Sequence, residues 1–168
     1  MVLGMNASAA DSDAKGLIGI GVGYTGTEYN KPGTNGAETD MNGGPALYLK
    51  FGAESDYYRV FVDSSYWYTD EYHSAGTIGG AIQYLIHPTT DAFNIFLGLN
   101  AGWINTINDT DVNPYYGLDA GVNLNINKDF GIEIGGRTSW TNDNKSDYVS
   151  TVFFQGYVNA IFKFTGIY

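Results

Sequence analysis

Residues 151–168 read TVFFQGYVNAIFKFTGIY. In steps of two back from Tyr168, one parity holds Gly166, Phe164, Phe162, Ala160, Val158, Gly156, Phe154 and Val152. The other holds Ile167, Thr165, Lys163, Ile161, Asn159, Tyr157 and Gln155. The first set is uncharged and mostly apolar, while the second mixes polar, charged and aromatic groups. Successive side chains of an extended chain point to opposite faces, so a period of two marks a strand between two different surroundings.

The same alternation appears seven more times upstream. Phe130, Ile132, Ile134 and Trp140 alternate with Gly131, Glu133, Gly135 and Arg137; Tyr116, Leu118, Val122 and Leu124 alternate with Gly117, Asp119, Gly121 and Asn123. Phe93, Ile95, Leu97, Leu99 and Trp103 oppose Asn94, Phe96, Gly98 and Asn100, and Ile78, Ile82, Tyr84 and Ile86 oppose Thr77, Gly79, Ala81 and Gln83. Tyr58, Val60, Val62 and Tyr66 oppose Arg59, Phe61, Asp63 and Ser65. Leu47, Leu49 and Phe51 alternate with Tyr48, Lys50 and Gly52, and Ile18, Ile20, Val22 and Tyr24 with Gly19, Gly21, Gly23 and Thr25. Eight strands and no helical period predict an all-β chain.

Composition narrows the class. The chain has 168 residues, 23 of them glycine and 14 tyrosine, with 15% charged. This is too aromatic for disorder and too rich in glycine for helices, and the length suits one domain. There is no cysteine, which excludes disulfides and thiolate chemistry. The net charge of −10 argues against nucleic acid as a partner, since phosphates need a basic face. No run is long and apolar enough for a transmembrane helix. Ala7-Ser8-Ala9 ahead of Asp11 reads as a signal-peptide cleavage site, so residues 1–15 are expected to be a signal remnant and tail, and 16–168 the folded domain.

Which face lies inside follows from the charges. Both arginines, Arg59 and Arg137, lie on the mixed face with Lys50, Lys163 and most of the small residues; no charged residue lies on the apolar face of any of the eight segments. In lipid a mid-depth charge on the outer face costs roughly 2–4 kcal/mol, and exclusion is what that cost predicts. With strands run alternately up and down, Tyr24, Tyr66, Tyr68, Trp103, Tyr116 and Trp140 fall at one rim. Phe51, Tyr58, Tyr84, Phe93, Phe130, Phe164 and Tyr168 fall at the other, which makes two interfacial girdles. Short connections (AESD, HPTTD, NKD) at one rim face longer ones at the other, from the 25–44 stretch to TDEYHSA, NTINDTDVN and TNDNKSD. The expected fold is an eight-stranded antiparallel up-and-down transmembrane β-barrel.

In alternation, strand number and the terminal FKFTGIY, residues 16–168 resemble the small eight-stranded outer-membrane barrels of Gram-negative bacteria, such as the OmpA membrane domain, OmpX and opacity-type proteins. The resemblance implies the bacterial outer membrane with both termini periplasmic, lipid and lipopolysaccharide as surroundings, and assembly by the barrel-assembly machinery. Phe162, Phe164 and Tyr168 match that machinery's C-terminal signal.

Chemistry is sparse. Inside, Lys50, Arg59, Arg137 and Lys163 face Asp63, Asp119 and Glu133. A symmetric AESD turn sets Lys50 opposite Arg59 with Asp63 or Glu133 between them, and adjacent strands suggest Glu133–Lys163 and Asp119–Arg137 pairs. An eight-stranded lumen is just wide enough for side chains, so this network reads as a plug, with a narrow-pore gate as the alternative. His73, next to Ser74, and His87 are the only histidines and do not by themselves imply a nucleophile–base pair. Neither a catalytic set nor a cofactor is expected. Asp109 and Asp111 are the only candidate ligands for a divalent cation. The expected role is structural, or surface contact with an extracellular protein partner through acidic outer connections. A small porin and a lipid-modifying enzyme are the alternatives.

Overall fold

A computed structural model describes residues 14–30, 39–68, 74–88, 92–106, 112–141 and 151–165. Its elements are β1 (Lys15–Asn30), β2 (Thr39–Glu54), β3 (Tyr58–Trp67), β4 (Ala75–Ile86), β5 (Phe93–Thr106), β6 (Val112–Asn125), β7 (Phe130–Thr141) and β8 (Thr151–Phe164). Each strand pairs antiparallel with its chain neighbour, and β8 closes on β1 from Gly16↔Phe164 to Tyr29↔Thr151. Closure leaves no free sheet edge, the condition for a sheet surrounded by lipid.

The faces fall as the alternation predicts. Val22, Val62, Ile78, Leu99 and Val158 point outward and are exposed, whereas their sequence neighbours Gly21, Phe61, Thr77, Asn100 and Asn159 point in and are buried. Val62 exposes 62% of its surface and Ile78 64%. A continuous apolar belt of that kind on a protein in water would be a standing aggregation surface; against acyl chains it is the matched solvent. The only charge at a described outward strand position is Glu28, four residues beyond Tyr24 on the far reach of β1.

Aromatic rings mark both rims of the belt. Tyr116 and Trp140 pair across β6 and β7 with ring centroids 6.1 Å apart. At the opposite rim Tyr58 meets Tyr84 at 5.4 Å, and Phe130 meets Phe162 at 5.2 Å.

Two expectations need correction. The stretch 25–44 is not all connection, because β1 and β2 stay paired from Thr25↔Gly44 out to Asn30↔Thr39. Alternation of apolar groups stops at the rim, but backbone pairing has no need of it. Further, the β2–β3 turn is centred on Asp56 and Tyr57, with Ser55 N–H donating to Tyr58 C=O at 2.8 Å. It is not centred within AESD. The displacement moves every partner across this hairpin by four residues, so Lys50 lies opposite Asp63 and Glu54 opposite Arg59. An even shift preserves faces and changes neighbours.

Inside, glycines admit the large side chains. A Cβ at Gly135 would stand 2.7 Å from the Tyr157 ring and 2.8 Å from that of Phe96. Here rings lie against bare backbone.

Candidate functional site

The charged side chains that the strands send inward converge in the lumen. Glu133, fully buried on β7, accepts from Lys50 Nζ and Arg59 Nη1, and from Asn159 Nδ2 at 2.8 Å. Those donors come from β2, β3 and β8, so one carboxylate ties together strands on opposite walls. Arg59 also donates to Asn123 Oδ1 at 3.3 Å and Gln83 Oε1 at 3.4 Å. Its remaining nitrogens, Nε and Nη2, bind Glu54 Oε2, the former at 2.9 Å. The ammonium of Lys50 lies 4.4 Å from the Phe61 ring centroid and 5.2 Å from that of Tyr157, positions that favour a cation over an aromatic face.

A second knot is centred on Arg137. Its Nε donates to Asp119 Oδ1 at 2.8 Å, while Nη2 reaches Asp63 Oδ2 and, at 3.2 Å, Asp119 Oδ2. Asp119 further accepts from Asn100 Nδ2 at 2.6 Å and Gln83 Nε2 at 3.2 Å. Gln83 touches Arg59 as well as Asp119 and so links the two knots.

The seven residues expected in an interior network all lie in these contacts, but two expected pairs do not form. Lys50 and Arg59 are not opposite each other, for the reason of register given above; Glu133 nevertheless lies between their head groups. Lys163 does not meet Glu133, whose cross-strand partner is Asn159. Lys163 Nζ instead binds Glu54 Oε1 at 2.6 Å and Asn125 Oδ1 at 3.2 Å. Asp119 and Arg137 are opposite and bonded. Glu54 is the residue that sequence reasoning missed: assigning it to the turn hid a carboxylate that holds two cations. With it, Lys50, Arg59, Arg137 and Lys163 balance Glu54, Asp63, Asp119 and Glu133, four against four. A desolvated cluster is tolerable only when so paired and hydrogen-bonded.

An aromatic layer adjoins the network. Trp67 from β3 stacks on Phe153 from β8 at 6.3 Å, and Tyr115 from β6 meets the same Phe153 edge-on at 5.4 Å. All three are at most 2% exposed. Their signal in the sequence is the doublets Tyr66-Trp67, Tyr115-Tyr116 and Phe153-Phe154, each sending one ring to the outer face and one inward.

Of the remaining candidates, His87 is exposed, with Nε2 against Asp56 C=O and its ring edge-on to Tyr57. His73, Asp109, Asp111 and Tyr168 lie outside the described residues, as do residues 1–13 of the expected signal remnant. So do Glu38, Asp70, Glu71, Asp143 and Asp147 of the acidic connections. Phe162 faces outward, and Phe164 covers Gly16, where any Cβ would collide with its ring.

No protein-family model and no curated protein matches the sequence. Solved structures do. The chain is similar to Neisserial surface protein A, with a TM-score of 0.67 at 12% identity, over 88% of this chain and 97% of that one. It is similar to OprH of Pseudomonas aeruginosa, with a TM-score of 0.53 at 18% identity, over 89% and 99%. OprG of Pseudomonas aeruginosa gives 0.51 at 12%, over 92% and 98%. The shared fold is that of the small eight-stranded outer-membrane barrels.

Proposed function

We propose that this chain is an integral barrel of a bacterial outer membrane, shut through its lumen, that serves as a structural or surface-contact element. The observation that carries this reading is the charge-balanced network, because ion pairs from five strands cross the lumen and each of its eight charged side chains has an opposite charge beside it. Gly16 and Phe164 close the barrel at one rim, where the connections are short; in this reading that rim and both termini are periplasmic. Acidic residues concentrate in the long connections, and contact there is with a basic protein partner or with lipopolysaccharide phosphates bridged by divalent cations. Biogenesis uses Phe162, Phe164 and Tyr168 as the assembly signal.

The second reading is a narrow ion pore. It is favoured by one feature, that Lys50 is bonded to Glu133 while its register partner Asp63 offers another carboxylate. Planar-bilayer recording of the refolded chain separates the two. The shut barrel gives a flat baseline over long recordings; reproducible discrete steps would make Arg59, Arg137 and Glu133 pore-lining groups.

A further inference from the structure

The lumen closes by different chemistry at its two ends. Toward the short-connection mouth stand Glu54, Arg59 and Lys163, joined as ion pairs. Toward the other mouth stand Trp67, Tyr115 and Phe153, packed on the same inner surface with Ala46, Ala75 and Ile104. None of those six side chains carries a charge. An apolar constriction of stacked rings expels water and blocks ions without any electrostatic gate.

Between the ends the lining is polar and incompletely paired. Asp63 Oδ1, Gln155 Oε1, Tyr157 OH, Asn159 Oδ1 and the hydroxyl of Tyr115, whose ring belongs to the aromatic layer, are buried without a hydrogen-bond partner from the protein. Gln155, Tyr157 and Asn159 are successive inward residues of β8. Gln155 Nε2 reaches across to Ser65 Oγ at 3.1 Å, one inward position beyond Asp63 on β3. Asn159 Nδ2 is held by Glu133 at 2.8 Å, and the Tyr157 ring lies under Lys50, whose register partner is Asp63. The unpaired atoms therefore border one stretch of the lumen. Three are pure acceptors and two are hydroxyls, so what satisfies the three oxygens must donate. The surrounding charges already balance, and Arg137 is beside Asp63, so the donor that fits is neutral. Buried polar groups of this kind are satisfied by ordered water.

We propose that the lumen binds a closed chamber of water between an aromatic seal, Trp67–Tyr115–Phe153, and an ionic seal, Glu54–Arg59–Lys163, either of which suffices to stop conduction. This rests on the shut-barrel reading and adds where the shutting is done.

The test compares four full-length proteins in planar bilayers, with folding checked by heat-modifiability gels: the native chain, Trp67→Ala/Phe153→Ala, Glu54→Ala/Arg59→Ala, and all four changes together. The middle two each open one end; Glu54→Ala/Arg59→Ala removes one charge of each sign. Silence from the first three and discrete steps from the fourth are expected. Steps from Glu54→Ala/Arg59→Ala alone would overturn the aromatic seal, and silence from a folded fourth protein would overturn the chamber. Steps from the native chain would overturn the shut-barrel reading itself. A second measurement covers a fourth protein that does not fold. In the Trp103→Phe/Trp140→Phe protein, acrylamide should quench Trp67 several-fold less when folded than when unfolded, and equal quenching would overturn the seal.

Discussion

Val62→Arg is expected to lower the stability of the barrel in lipid by roughly 2–4 kcal/mol, the cost of a guanidinium on the lipid face near mid-depth. Val62 lies on β3 with 62% of its surface exposed. Tyr66→Arg on the same strand and face is expected to cost no more than about 1 kcal/mol, because Tyr66 belongs to the rim girdle, where charges reach water. The measurement is urea-dependent folding into vesicles for both variants. A soluble barrel would behave otherwise: exchanging an exposed valine for arginine in water changes stability by about 0.5 kcal/mol or less. Equal, small costs at the two positions would therefore place the belt in water.

Glu133→Ala should be the most damaging single change in the lumen, at roughly 3–5 kcal/mol, the range for breaking a buried ion pair by removing one partner. The loss leaves four cations against three carboxylates and strips Lys50, Arg59 and Asn159 of a shared acceptor. Lys163→Met at the mouth should cost about 1 kcal/mol or less, since Glu54 keeps Arg59 and the methionine fills much of the lysine stem's space. The same vesicle titration reads both. Similar losses for the two variants would mean that Glu133 is not the central tie of the lumen.

The contrast between faces and register shows what a sequence of this type makes legible. Faces follow from parity alone, and parity is written residue by residue: Ile18, Ile20 and Val22 against glycines, Tyr58, Val60 and Val62 against Arg59, Phe61 and Asp63. Which residues meet across a hairpin depends on where the turn closes, and that depends on single hydrogen bonds such as Ser55 to Tyr58. Composition favours a turn anywhere in AESDY. An error of two residues in the turn centre kept every face and exchanged Asp63 for Arg59 as the neighbour of Lys50. Asp119–Arg137 was legible, since the β6–β7 connection is short and its centre well marked by Asn127, Lys128 and Asp129. Glu133 as the tie between Lys50 and Arg59 was legible only as one of two options. Contacts across a lumen join strands that are not neighbours, and no local spacing records them.

The aromatic layer was missed for a related reason. Trp67, Tyr115 and Phe153 stand next to outward-facing rings in the sequence, and a girdle accounts for one ring of each doublet without asking where the other goes. Strict alternation answers that question: adjacent aromatic residues at a rim imply one ring in the interface and one in the lumen.

Spin labels on single cysteines test whether the uncharged face meets lipid. The chain has no cysteine of its own, so each introduced thiol is unique. Labels at positions 22, 49, 62, 99 and 158, introduced as Val22→Cys, Leu49→Cys, Val62→Cys, Leu99→Cys and Val158→Cys, all point outward from five strands. In reconstituted vesicles each should collide readily with oxygen and poorly with a water-soluble nickel chelate, all around the barrel. Preferential collision with the nickel chelate at these positions would put the face in water and rule out a lipid-facing belt.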